Sequence, residues 1–459
     1  MSDQEDRVLA VPFSLDGERL EGRADDTLAA AMLRAGVTTF TRSIKYHRPR
    51  GPFCLGGSCG QCLVRVDGVP SLPACRVELK QGMSCERQNA PLGLVDRDLF
   101  RAVDFLFPGG LDHHHLMIQS RLLGQISLEV ARRLAGLGTL PSRDLLAQQG
   151  SARAVPLVIV GAGPAGLSAA LGAVESDSGG LRPLLLERDS KPGGTARLFR
   201  DAERAIGRSS AAPLERLGDR VELLCDAEVV GLYSDPQPEG DALLAVRQEA
   251  RLLAVRAHRV VIAMGGVSQP HPFPGNDRPG VYAARGLLAL HDQTGVRVGE
   301  GAAIALVGVG DELERCRAAL LSRGYSLAAC VSLDEDEIVR VRGRPVAEIQ
   351  IRARPRQEPS SAIRKIRCGA VAVALPVAAQ HDLASSVGAR ATFSASLGGF
   401  PLEVDAEART SVAWIFAVGT AVGRSLLDSG VSGNEATAFA QKAGQAAAVE
   451  AKQAAALAR

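Results

Sequence analysis

The chain is poor in the features that mark several protein classes. Its 459 residues hold one Trp and four Tyr, so aromatic stacking surfaces are scarce. The formal net charge is only +2, which leaves no electrostatic footprint for nucleic acid or an acidic membrane. No run of eighteen apolar residues occurs, so a spanning helix is not expected. The first residues, Met-Ser-Asp-Gln-Glu-Asp-Arg, are charged and lack an apolar core, which does not read as a signal peptide. No nucleophile–base pair, metalloprotease helix or acid pair stands out. These absences point to a chain of about three domains by length, expected in the cytoplasm. A peripheral contact at the inner face of the membrane stays open.

Glycine and cysteine are what the chain does have: 49 and 9 residues. Cys54, Cys59, Cys62 and Cys75 are spaced C-x4-C-x2-C-x12-C. The plant-type [2Fe–2S] arrangement takes three thiolates from one tight loop and a fourth from a later element. Gly56, Gly57 and Gly60 let that loop wrap closely. The alternatives are a zinc site and a disulfide pair. Zinc ribbons prefer two C-x2-C knuckles, and only one is present. Disulfides suit exported chains. The remaining cysteines, Cys85, Cys225, Cys316, Cys330 and Cys368, are scattered and read as buried reduced thiols.

Turn signals at Asp16-Gly17 and Asp67-Gly68 predict two hairpins around a helix at 28–35 capped by Thr27. Together with the cysteine loop they predict a β-grasp ferredoxin-like domain over 1–94. A helical connector is expected at 95–152. Next, Gly161, Gly163 and Gly166 form G-x-G-x-x-G between a predicted strand and a predicted helix, the context that makes the motif informative. Gly161 serves the tight turn, Gly163 the approach of a pyrophosphate, and the helix start stabilises its charge. Glu187 is placed to accept ribose hydroxyls, and Lys191, Gly193 and Gly194 follow as is usual in FAD sites. A second unit starts at 302 with Gly308 and Gly310 but has Leu313 at the third position. The spacing from first glycine to terminal acid is 26 residues in both units (161 to 187, 308 to 334). Asp311 and Glu312 put negative charge where a pyrophosphate would sit, which disfavours NAD(P) there. The expected division is therefore an FAD-binding domain in two parts, 153–285 and 396–459, flanking an NAD-binding-like domain at 286–395. The fold class is α/β and α+β multidomain, with two tandem Rossmann-like domains of the disulfide-reductase type. The basic run Arg42–Arg50 reads either as a solvated face or as a counter-charge to the cluster or a cofactor phosphate. His113-His114-His115 cannot all face one ion on a helix, which favours a surface or interface role.

The run Arg42–Gly51, the cysteine loop and the Gly161 fingerprint together resemble the α-type subunits of heteromeric flavin dehydrogenases. That family includes hydrogen cyanide synthase, opine oxidases, D-hydroxyproline and proline dehydrogenases and the sarcosine oxidase α subunit. Val260–Gly266 is similar to the family's strand that recrosses near FAD, which implies a role for Gly265. Phe273–Val281 is similar to its stretch entering the NAD-like domain. The resemblance departs at Met264, which replaces a Thr, and at Thr420 after Gly419, where the family carries an Asp that holds the flavin ribityl chain. It also departs in lacking a C-terminal cysteine cluster. Thr420 leaves ATP or ADP as an alternative occupant.

The partner that the family implies is a D-amino-acid-oxidase-like flavin β subunit. The family also allows an FMN at the subunit interface and a further small subunit. The resulting expectation is an electron-transfer subunit of an amine or amino-acid dehydrogenase, with the catalytic centre in the partner. Two alternatives are a self-contained NAD(P)H reductase and a non-catalytic scaffold with a structural nucleotide.

Overall fold

The computed structural model describes residues 10–43, 47–89, 125, 150–176, 180–199, 211–237, 240–248, 251–299, 302–354, 362–424 and 433–457. The connector expected at 95–152 lies almost wholly outside the described residues, as do His113–His115 and Lys45-Tyr46. The chain divides into two compact units, Met1–Leu145 with Pro270–Leu375, and Leu146–Gln269 with Pro376–Arg459.

In the first unit, Ala10–Leu15 and Glu18–Arg23 pair antiparallel around Asp16 and Gly17, at φ 51° and 86°. Positive φ at both central residues gives the turn a twist that matches its strands. The Thr27 hydroxyl accepts from the Ala30 N–H at 3.2 Å and starts the helix Leu28–Arg34. That helix buries Leu28 through Met32 against the sheet, and its last residue, Arg34, holds Asp26 through two bonds of 3.1 and 2.9 Å. Leu63–Val66 and Val69–Pro73 form the second hairpin. Ser84–Arg87 inserts between the two hairpins, parallel to Ala10–Leu15, to complete a five-stranded mixed sheet.

The rest of this unit is a parallel sheet in the order Val281–Ala283, Val371–Ala374, Ile304–Gly308, Leu327–Ser332. Helices Ala284–Thr294 and Gly310–Ser322 connect its strands, and an antiparallel meander, Asp336–Gly343, Val346–Ala353 and Arg364–Arg367, is appended. The cysteine loop is seated directly on this sheet. Ala283 N–H donates to the Phe53 carbonyl at 2.9 Å, and Phe53 and Cys54 share an apolar cluster with Val281, Ala305 and Val371. Arg34 reaches the Thr294 carbonyl at 2.9 Å and Arg50 pairs with Asp277 at 3.2 Å.

In the second unit, Ser151–Val160 lies between Leu184–Leu186 and Arg251–Ile262, all parallel. Ile415–Ala417 adds beside Val260–Ile262, so the chain's return closes the sheet. Helices Pro164–Glu175 and Gly433–Leu457 cover one face, and their mutual packing is at backbone distance. A Cβ on Gly444 would lie 1.8 Å from the Ala169 carbonyl oxygen, and one on Gly172 would lie 2.0 Å from that of Gln441. Gly→Ala inside a helix ordinarily stabilises by up to about 1 kcal/mol. Here the sign should reverse: Gly444→Ala should destabilise by roughly 1–3 kcal/mol through overpacking. A thermal melt of the variant decides it, and a raised Tm would refute this contact.

Candidate functional site

The four loop cysteines converge. Cys62 Sγ lies 3.4 Å from Cys75 Sγ, and Cys54 shares hydrogen bonds with Cys59 and Cys75. The Gly56 N–H points at Cys54 Sγ from 3.4 Å. Hydrogen bonds from Cys59 and Cys75 hold the Cys54 thiol far below its ordinary range, while the same contacts and burial push Cys59 and Cys75 up. The bond with Cys75 likewise lowers Cys62. Four neighbouring thiols, three of them buried and Cys59 half-buried, cannot all ionise without a cation between them, so the donor set suits a metal centre. Cys75 is bonded to both Cys54 and Cys62, so the loop thiols and the later one form a single connected set. Among the described residues no three His, Cys, Asp or Glu side chains form a site for a single ion. Arg76 crosses the loop, because a Cβ on Gly57 would meet its Cγ at 2.8 Å.

The loop's seat depends on a residue that carries no local signal in the sequence. A Cβ on Gly286, in the first turn of Ala284–Thr294, would lie 2.6 Å from the Cys54 carbonyl oxygen and 3.3 Å from Leu55 Cβ. The basic run before the loop is not a solvated face at its described positions: Arg42 and His47 are buried, and an Arg42 Nη1 donates to the His47 carbonyl at 2.5 Å.

The glycine fingerprint builds a cradle in the second unit. Gly161 adopts φ 102°, and a Cβ there would lie 2.5 Å from the Ala263 carbonyl oxygen. A Cβ on Gly166 would lie 1.8 Å from the Gly161 carbonyl oxygen, so the helix starts against the turn. Gly163, by contrast, faces open space within 4 Å, which is the opening a diphosphate needs. Pro164 at the first helical position uses no donor, and the neighbouring first-turn amides have no partner inside the helix. Glu187, 7% exposed, accepts from Ala162 N–H at 2.9 Å and Asp189 N–H at 3.0 Å. Burial raises its pKa, so a ligand hydroxyl that hydrogen-bonds the carboxylate would favour its charged form.

Gly193 N–H donates to the Ala162 carbonyl at 2.8 Å, and a Cβ on Gly194 would lie 3.0 Å from Gly163 Cα. The strand Ile415–Ala417 delivers Gly419 against Ala165, where a Cβ would approach to 2.6 Å, and Thr420 lies beside Gly266. The Gly265 carbonyl accepts from Gln380 N–H at 3.1 Å at the same end of the sheet. Of the residues expected here, only Lys191 stands apart: its side chain is exposed and its carbonyl accepts from Arg197 at 3.2 Å.

The second dinucleotide-type turn differs. Gly308 still needs its bare Cα, since a Cβ would lie 2.1 Å from the Ala374 carbonyl oxygen. Leu313 fills the third position and is buried, and Asp334 is exposed rather than turned into the sheet end. Glu312 corrects the charge expectation. It is 3% exposed and clamped by Arg285 through bonds of 2.6 and 2.8 Å, with Arg315 at 3.5 Å, so its charge is neutralised inside the protein. Asp311 alone remains exposed at that helix start. Two scattered cysteines also depart from expectation: Cys330 is exposed and Cys225 is half-buried, whereas Cys85, Cys316 and Cys368 are buried. Burial pushes the Cys85 thiol up to about 12 and Cys368 to about 11.

Residues 9–90 match the 2Fe-2S iron-sulfur cluster binding domain family, and 155–311 match the pyridine nucleotide-disulphide oxidoreductase family. The chain is 30% identical to the alpha subunit of sarcosine oxidase from Rhizobium meliloti over 378 residues, covering 76% of this chain and 36% of that one. It is thus similar to part of the alpha subunits of sarcosine oxidases. An opine oxidase subunit from Agrobacterium tumefaciens shares 30% identity over 145 residues, 28% of this chain and 27% of that one. The chain thus spans about a third of the length of the sarcosine oxidase subunit of Rhizobium meliloti. The solved L-proline dehydrogenase of P. horikoshii superposes with a TM-score of 0.65 at 20% identity over 97% of this chain and 73% of its own, which establishes the fold: an iron–sulfur domain followed by disulfide-reductase-type Rossmann domains. The chain therefore joins a 2Fe-2S cluster binding-type domain to a domain of the pyridine nucleotide-disulphide oxidoreductase type.

Gly286→Val should drive the cluster loop off its seat and lower iron content or shift the reduced-cluster spectrum. Gly163→Val should lower nucleotide content and leave iron content unchanged. Metal and nucleotide analysis of both purified variants checks the pair, and the reverse pattern would overturn the assignment of either site.

Proposed function

We propose that the protein is the electron-transfer subunit of a heteromeric amine or amino-acid dehydrogenase. The observation that carries this reading is the convergence of Cys54, Cys59, Cys62 and Cys75 in a chain whose other unit holds an open dinucleotide cradle. A flavin passes on, one electron at a time, what a two-electron oxidation delivers, and a [2Fe–2S] cluster carries single electrons. The chain's own residues bind and orient: Gly161, Gly163 and Gly166 admit a diphosphate, and Glu187 takes the ribose. Gly193, Gly194, Gly265, Gly419 and Thr420 line the remainder. FAD is the proposed occupant. Thr420 offers a hydroxyl where a carboxylate would grip a ribityl chain, so ATP or ADP is the second candidate.

The partner is proposed as a D-amino-acid-oxidase-like subunit with its own FAD, which would take hydride from a C–H beside nitrogen. An FMN at the interface and a further small subunit fit the same scheme. No helix among the described residues is long and apolar enough to cross a membrane. A cytoplasmic location, with contact at the inner membrane face as the variation, is part of this proposal. The self-contained NAD(P)H reductase is kept as a second reading because Arg285 removes one of the two charges that oppose a dinucleotide at Gly308. Against it stand Leu313, the outward Asp334 and the remaining Asp311.

Two assays separate these readings. The isolated chain given NADH or NADPH and a dye acceptor should show no reduction above background, and its cluster should stay oxidised. The copurified complex given its amino-acid substrate should reduce the dye, and Cys62→Ser should remove that activity. Rapid cluster reduction by NADH in the isolated chain would overturn the ranking.

A further inference from the structure

We propose that a basic pocket in the Pro270–Leu375 segment binds a small multivalent oxyanion of the phosphate or diphosphate class. This site is separate from the Gly161 cradle and from the cluster, and does not depend on the function proposed above. The pocket, about 460 Å³, lies where the turn at Pro274-Gly275 meets the end of the strand Asp336–Gly343, and Arg278, Arg340 and Arg342 line it. Arg340 and Arg342 alternate with buried Val341, so both are presented outward. Arg278 is tethered by an Nη1 bond to the Gly343 carbonyl at 3.1 Å, yet its buried Nε has no hydrogen-bond partner.

Three guanidinium groups in one pocket repel each other, and arginine cannot relieve this by losing its proton. Among the described residues no carboxylate pairs with any of the three. The nearby acids are already engaged: Asp277 with Arg50 at 3.2 Å, Asp336 with Arg364 at 2.8 Å, and Glu337 with Arg352. Glu348, opposite Arg342 in the meander, accepts from the neutral Gln350 amide at 2.7 Å and keeps its charge, so it offsets Arg342 in part. A partly compensated arginine group with an orphaned buried donor is matched by an anion with several acceptor oxygens, which planar guanidinium forks bind in pairs. Gly275 keeps the space clear: at φ 92°, a Cβ there would lie 2.9 Å from Arg278 Nε. The volume suits a small ligand. The whole chain carries only +2, which favours a small anion over a polyanion.

Calorimetric titration of the purified chain, carrying its cluster and nucleotide, with inorganic pyrophosphate at constant ionic strength tests this. One saturable site per chain is expected. The double variant Arg340→Gln, Arg342→Gln should weaken binding about tenfold or more, and each single variant by a smaller factor. Both positions are presented outward, so folding should be retained; unchanged visible absorption of the cluster verifies it. Arg390→Gln, an exposed arginine paired with Glu403 in the other unit, should bind as the parent does. Pyrophosphate behaving no differently from added chloride would overturn the proposal. So would full-strength binding by the double variant.

Discussion

The backbone contact between the iron–sulfur loop and the helix start at Ala283–Gly286 organises the first unit. Phe53 gives its carbonyl to Ala283 and Cys54 rests on a glycine with no side chain to displace it. A cysteine that must hold iron tolerates little movement, so the surface beneath it has to be stiff. A parallel sheet with buried strands supplies that stiffness, because its interior is packed to crystal-like density. Arg34 to Thr294 and Arg50 to Asp277 then fix the edges of the same contact. The iron–sulfur module and this sheet therefore belong to one compact unit.

Much of this is legible in the sequence wherever the determinants are local. The hairpins at Asp16-Gly17 and Asp67-Gly68, the Thr27 cap and the Gly161 turn each depend on a few adjacent residues, and the structure reproduces them. The convergence of the cysteine set is readable because three of the four lie in one loop and a hairpin returns the fourth to it. What escapes are contacts between distant residues. Glu312 looks like a free charge in the sequence because its clamp, Arg285, stands 27 residues away on a different helix. Gly286 looks like an ordinary helix glycine, since nothing in its neighbours announces Cys54. Cys330 reads as a buried thiol, but its strand lies at the edge of the four-stranded sheet, where among the described residues one side has no partner strand.

The buried Glu312 also shows how charge should be weighed. A carboxylate at 3% exposure would be costly alone, and two arginines make it tolerable by meeting it within hydrogen-bonding distance. Its field at the helix start is therefore largely cancelled. The electrostatic case against a dinucleotide at the second unit weakens to Asp311, and the steric case carries more of the weight.

That steric case follows from comparing two turns of one design. Both units keep the first glycine for the same reason: a Cβ would collide with a neighbouring strand's carbonyl, Ala263 in one and Ala374 in the other. This demand belongs to the sheet and persists whether or not a ligand binds. The third glycine answers a different demand, since Gly166 lets its helix start within contact of the turn, and the second unit carries a buried Leu313 at that sequence position. The terminal acids diverge in step. Glu187 folds inward onto the Ala162 amide, while Asp334 remains exposed. Retention of the fold-level glycine without the ligand-level residues is what a domain kept for its architecture would show. In this chain that architecture is the surface on which the cluster loop rests.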